Sequence, residues 1–118
     1  MARGTEAPLD ARLAPGRAAF NRGEFFLAHE LWEDVWRELD GGERLLVQGL
    51  IQIAAGLHHL QRGRAGPAAR VLARGASKLS RAPATTLPIA ALARDVARLL
   101  AALSAPGGGA PDPGAMRF

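Results

Sequence analysis

Apolar residues recur along this chain at three- and four-residue intervals, and no stretch shows the strict alternation of a half-buried strand. The pattern predicts helices and no strands. Between Glu24 and about Leu39, a rotation of roughly 100° per residue gathers Phe25, Ala28, Trp32, Val35, Trp36 and Leu39 on one face, which Leu27 and Leu31 broaden. Glu30, Asp34 and Arg37 face away. From Glu43 to about Arg62 the stripe is Leu46, Leu50, Ile53, Leu57 and Leu60, with Gly49 and Gly56 on its flank, where a neighbouring backbone can come close. Val71, Leu72, Gly75, Ala76 and Leu79 point inward from a helix starting at Pro67 and ending before Pro83. A last helix, with Thr86 as its cap, buries Ile89, Leu92, Val96, Leu99, Leu100 and Leu103.

Punctuation residues set the boundaries. Pro15 suits a first helical turn and Gly23 a C-terminal cap, which frames a short first helix and leaves Leu9 to Ala14 undecided. Asp40-Gly41-Gly42-Glu43 reads as a tight connection, with Asp40 capping the next helix and Glu43 reaching back. Connections this short make successive helices antiparallel neighbours. The predicted fold is all-α, an up-and-down antiparallel helical bundle of four to five helices. It spans residues 9–104, between a flexible N-terminal tail (1–8) and a disordered Pro/Gly-rich tail (105–118).

Composition narrows the function classes. Cysteine is absent, which removes disulfides, thiolate metal sites and a cysteine nucleophile. The longest apolar run, Leu45 to Leu60, is broken by Gln48, Gln52, His58 and His59, so it reads as a buried helix and not a membrane span. No apolar stretch follows the first arginine, so no secretory signal is read and a cytoplasmic location is expected. Charge is polarised: seven acids and one arginine lie between Glu24 and Glu43, whereas Arg44 to Arg94 holds eight basic residues and no acid.

Two constellations carry candidate chemistry. His29 and Glu33 stand i,i+4 on one helix edge, with Glu30 beside them. In an antiparallel hairpin turning near Gly41, Gln48 and Gln52 come level with this pair, and His59 sits near its periphery. His29, Glu33 and Gln52 can satisfy one another as a structural polar network without metal, which is the favoured reading. The alternative places a small ligand or a divalent metal there, with His29 and Glu33 as candidate ligands. The pattern is not the His-Glu-x-x-His of zinc proteases, because the second histidine is missing. The second constellation is basic. Arg70, Arg74 and Lys78 form a stripe, with Arg62, Arg64 and Arg81 at its ends, and it is the candidate anion-binding surface. Without interleaved aromatics, sequence-specific reading of bases is not supported. The tryptophans are assigned to the core.

The run Phe20-Asn21-Arg22-Gly23-Glu24-Phe25-Phe26, followed by His29-Glu30-Leu31-Trp32-Glu33-Asp34-Val35-Trp36, resembles the signature of bacterial domain-of-unknown-function family 309. Gln48-Gly49-Leu50-Ile51-Gln52, Leu57-His58-His59 with Arg62, Gly66-Pro67 and Lys78-Leu79 extend the likeness over about residues 17 to 80. His58, Arg64 and Pro67 stand where that family often has Tyr, Asn and Ala. The resemblance implies an all-helical bundle in a prokaryotic or organellar setting and no known reaction. Three functional readings follow. The first is an interaction or small-ligand-binding domain built around His29, Glu30, Glu33, Gln48, Gln52 and His59. The second is a metal-dependent, hydrolase-like enzyme using the His-Glu-x-x-Glu helix. The third is a nucleic-acid or anion-binding module using Arg62, Arg70, Arg74 and Lys78. Candidate partners are a second copy, an acidic protein surface or nucleic acid, and no membrane.

Overall fold

The computed structural model describes residues 7–107 and 112–118. Its helices are α1 (Leu9–Asn21), α2 (Phe25–Trp36), α3 (Gly41–Gln61), α4 (Ala65–Arg81) and α5 (Ile89–Ser104), followed by one 3-10 turn at Pro113–Ala115. No strand occurs among the described residues. The fold is the expected all-α bundle. Most of the expected N-terminal tail, residues 1–6, lies outside the described residues.

Each helix packs on its sequence neighbours, and α3 is the hub, holding α2 on one side and α4 on the other. The apolar stripes account for this. Phe25, Ala28 and Trp32 of α2 are buried, as are Leu72 and Leu79 of α4 and Leu92, Val96 and Leu99 of α5. In α3, burial spreads beyond one stripe to include Val47, Ile51 and Ala54, as a helix enclosed by neighbours requires. Glycine makes the α3–α4 contact close. A Cβ on Gly49 would lie 3.2 Å from the Gly75 carbonyl oxygen, and one on Gly75 would lie 2.9 Å from that of Gly49. Leu72 fills the space over Gly56 in the same way. The neighbour expected to approach Gly49 and Gly56 is therefore α4.

Several local expectations give way. The first helix begins at Leu9, so Pro15 lies inside it, on an exposed position where only one intrahelical donor is lost. Gly23 does end the helical hairpin arm, at φ +80°. Asp40 occupies the N-cap of α3, but its side chain makes no capping bond. Thr86 does not cap α5, because the residue before that helix is Pro88. Thr86 instead donates to Asp10 Oδ2 at 3.1 Å, tying the α4–α5 connection to α1. Leu27, placed on the apolar stripe, is 43% exposed.

The largest departure is at the C-terminal end. Residues 105–118 read as a disordered tail, yet residues 112–118 lie against the bundle. Asp112 Oδ1 caps the 3-10 turn by accepting from Gly114 N at 2.9 Å. Met116 borders a groove of ≈ 270 Å³ beside Leu99 of α5. Phe118 reaches α1, where its ring meets Phe20 edge-on at 5.3 Å and Trp32 at 6.1 Å. The Asn21 amide takes both main-chain groups of Phe118: Nδ2 donates to its oxygen at 3.0 Å and Oδ1 accepts from its N–H at 2.9 Å. Pro/Gly density removes helix and strand, but not an extended segment carrying Met and Phe into an aromatic notch.

Candidate functional site

The α2–α3 seam carries the polar groups. Phe26 and His29 are one turn apart on α2, and Ala55, His58 and His59 are one turn apart on α3. Because the two helices run antiparallel, the five side chains face one another and line a pocket of ≈ 190 Å³. All three histidines of the chain are in it. Phe26, 55% exposed, forms the outer wall, stacked on His29 with ring centroids 5.9 Å apart and tilted against His58 at 5.4 Å.

His29 stands between two carboxylates. Its Nδ1 is 3.7 Å from Glu30 Oε2 and its Nε2 is 3.6 Å from Glu33 Oε2. Both distances are too long for hydrogen bonds. One ligand atom from each of His29, Glu30 and Glu33 falls within 4.8 Å of the others. Glu33 also lies 3.6 Å from Arg37 through its second oxygen.

The network expected to close on itself does not. His29 Nδ1, Gln52 Oε1 and His59 Nδ1 are buried atoms without a hydrogen-bond partner. Gln52 therefore does not join His29 and Glu33. Gln48 is half-buried on α3 and makes no side-chain hydrogen bond among the described residues. Of the tryptophans, Trp32 is fully buried and donates from Nε1 to the Leu13 carbonyl at 3.1 Å. Trp36 finds no acceptor for its indole nitrogen, and the Arg44 guanidinium sits 3.8 Å above its ring.

Electrostatically the pocket is two-sided. Glu30 and Glu33 flank the α2 wall, while Arg62 and Arg64 act on the α3 wall. Desolvation, reinforced by Arg62, His59, Arg64 and His29, lowers the pKa of His58 below its ordinary 6.5. His58 is thus held neutral, with a lone pair free, near pH 7. Helix register puts His59 at the edge of the cluster and does not single out His58 or Phe26 as site residues. The available signal was spacing: Phe26 and His29, like Ala55 and His58, stand i,i+3.

The basic candidates lie elsewhere. Arg62, Arg70 and Arg74 are exposed and Lys78 half-buried, at the end of α3 and along α4.

The model of a Domain of unknown function (DUF309) matches residues 13–71, half of the chain. The chain belongs to the DUF309 family. The matched stretch takes in most of α1, all of α2 and α3, and the start of α4. Every residue lining the histidine pocket is therefore inside the DUF309 region, whereas α5 and residues 112–118 lie beyond it. No curated protein and no solved structure matches the chain. Among the described residues, no helix is long and apolar enough to cross a membrane.

Proposed function

We propose that this DUF309 protein is a small-ligand-binding helical domain whose site is the His29–Glu30–Glu33 edge of α2, beside the α2–α3 pocket that shares His29, and that its ligand is a divalent transition-metal ion. One observation carries the reading. His29, Glu30 and Glu33 bring their donor atoms within 4.8 Å of one another, and none of the three completes a hydrogen bond within the set. A closed structural network would have paired the buried His29 Nδ1, because an unpaired buried polar atom costs about 1–3 kcal/mol. Imidazole and carboxylate donors together suit zinc, cobalt or nickel. His59 Nδ1, buried and unpartnered, lines the same pocket as His29 and is the candidate on α3 to hold a water bound to the ion.

Pocket size supports an ion over a bulky substrate. At ≈ 190 Å³ the space is below the roughly 300–1,000 Å³ usual for small-molecule sites. The hydrolase reading, which needs a substrate cleft beside the metal, is less well supported. The test is calorimetric titration of chelator-treated protein with zinc and cobalt. Saturable binding at equal molarity, lost in His29→Ala and reduced in Glu33→Gln, supports the proposal. Binding that survives His29→Ala overturns it.

A further inference from the structure

The largest uncompensated charge on the molecule is on α4 and its approaches. Arg62, Arg64, Arg70, Arg74, Lys78 and Arg81 have no acidic partner among the described residues. The acidic half is different, because four of its seven carboxylates between Glu24 and Glu43 meet an arginine within the chain. Arg12 pairs with Glu38, Arg22 with Glu24, and Arg37 with Glu33 and Asp34. From this acidic half a second copy therefore offers only Glu30, Asp40 and Glu43 without an arginine partner among the described residues, fewer than the six cations of α4 and its approaches. The matching surface has to come from outside, as a polyanion.

The stripe has the form of a phosphate track. Arg70, Arg74 and Lys78 recur every four residues, about 6 Å along the helix axis. Between them the exposed positions are Ala73 and Ser77, so nothing bulky holds a strand away from the cations. The same small side chains argue against a lipid surface, since the stripe has no large apolar residue to insert. No aromatic lies on it to stack a base, so any reading is of the backbone.

From this we infer that α4, extended by Arg62 and Arg64, is a sequence-independent binding face for the sugar-phosphate backbone of a nucleic acid. Binding is electrostatic, with a Kd of about 1–100 μM near physiological salt. It releases counterions, so log K falls with log salt at about −0.7 per phosphate contact on a single strand. Three to five contacts give a slope of about −2 to −4.

The experiment is fluorescence anisotropy of a labelled 20-nucleotide single-stranded RNA, with the full chain titrated at several salt concentrations. The variant Arg70→Gln, Arg74→Gln, Lys78→Gln is expected to bind at least tenfold more weakly at low salt and to lose about 2 from the slope. A charge-matched control, Arg22→Gln, Arg37→Gln, Arg98→Gln, should stay within about threefold of the parent, because its arginines are exposed and already ion-paired. If the triple variant fails to fold, the exposed pair Arg70→Gln, Arg74→Gln carries the comparison. Absence of binding at low salt overturns the inference, as does equal weakening by the control. Binding to anionic vesicles without binding to RNA overturns it in favour of a membrane. Self-association that needs the α4 arginines, again without RNA binding, overturns it in favour of a second copy.

Discussion

Gly16 of α1 and Trp32 of α2 touch with no room for a side chain between them: a Cβ on Gly16 would fall 2.3 Å from the indole Nε1. The same nitrogen donates to the Leu13 carbonyl, one turn earlier on α1. Glycine is therefore a steric requirement here, although it costs a helix interior about 1 kcal/mol relative to alanine. Gly16→Ala is expected to destabilise by about 1–3 kcal/mol, through overpacking that outweighs the helix gain. Gly66→Ala is the contrast, because the only atom near its Cβ is the end of Arg70 at 3.8 Å. That substitution should be neutral or stabilising by up to about 1 kcal/mol. Urea unfolding of both variants checks the pair.

The docked C-terminal segment gives a second expectation. Phe118→Ala removes a half-buried ring from Phe20 and Trp32, and should cost about 1–2 kcal/mol, less than the roughly 3–5 kcal/mol of a fully buried Phe. Deleting residues 112–118 should lower Tm by several degrees, since about 1 kcal/mol corresponds to roughly 4–8 °C in a domain of this size. An unchanged Tm in the deletion would mean that the segment adds nothing to stability.

Metal and structure separate at Glu33. It lies 3.6 Å from both His29 and the Arg37 guanidinium on a partly exposed edge, so Glu33→Ala should change stability by no more than about 0.5–1 kcal/mol. The same substitution is expected to remove most zinc uptake. Chelator should lower the Tm of zinc-loaded parent protein and leave Glu33→Ala unmoved. Thermal melts with and without zinc measure both effects. A large stability loss in metal-free Glu33→Ala would return the cluster to a structural role.

The lowered pKa of His58 sets a pH dependence for the metal-free protein. Above the unfolded value of about 6.5 the residue is neutral in both states, and its contribution is constant. As pH falls through that value, the unfolded chain takes up the proton first, so stability falls until pH drops below the depressed folded value. Tm should therefore decline as pH falls below about 6.5, and His58→Gln should flatten part of that decline. Equal slopes in parent and variant would rule out His58 as a contributor.

The sequence made the helices legible because their apolar residues repeat at one period, and the central glycines because Gly49 and Gly56 stand two turns apart on one flank. It was less informative wherever a contact links distant parts of the chain. Thr86 has the chemistry of a cap, but it bonds to Asp10, which no local pattern reveals. Gln52 is level with His29 in the hairpin, yet height along an axis does not fix the rotation of the side chain, and its oxygen is left unpaired. His58 was passed over because the hairpin register drew attention to Gln48 and Gln52, while the pocket formed further along α3.

Phe118 rests on Arg17, Phe20 and Asn21 across almost the whole chain, whereas among the described residues the helix–helix packing joins helices adjacent in sequence. Local contacts form quickly and long-range closure slowly. The helices can therefore assemble through neighbour contacts first, with the notch between Phe20 and Trp32 closed later by Phe118. Until that closure the edges of Phe20 and Trp32 that Phe118 meets stay uncovered, so this docking step removes apolar surface from the last folding intermediate.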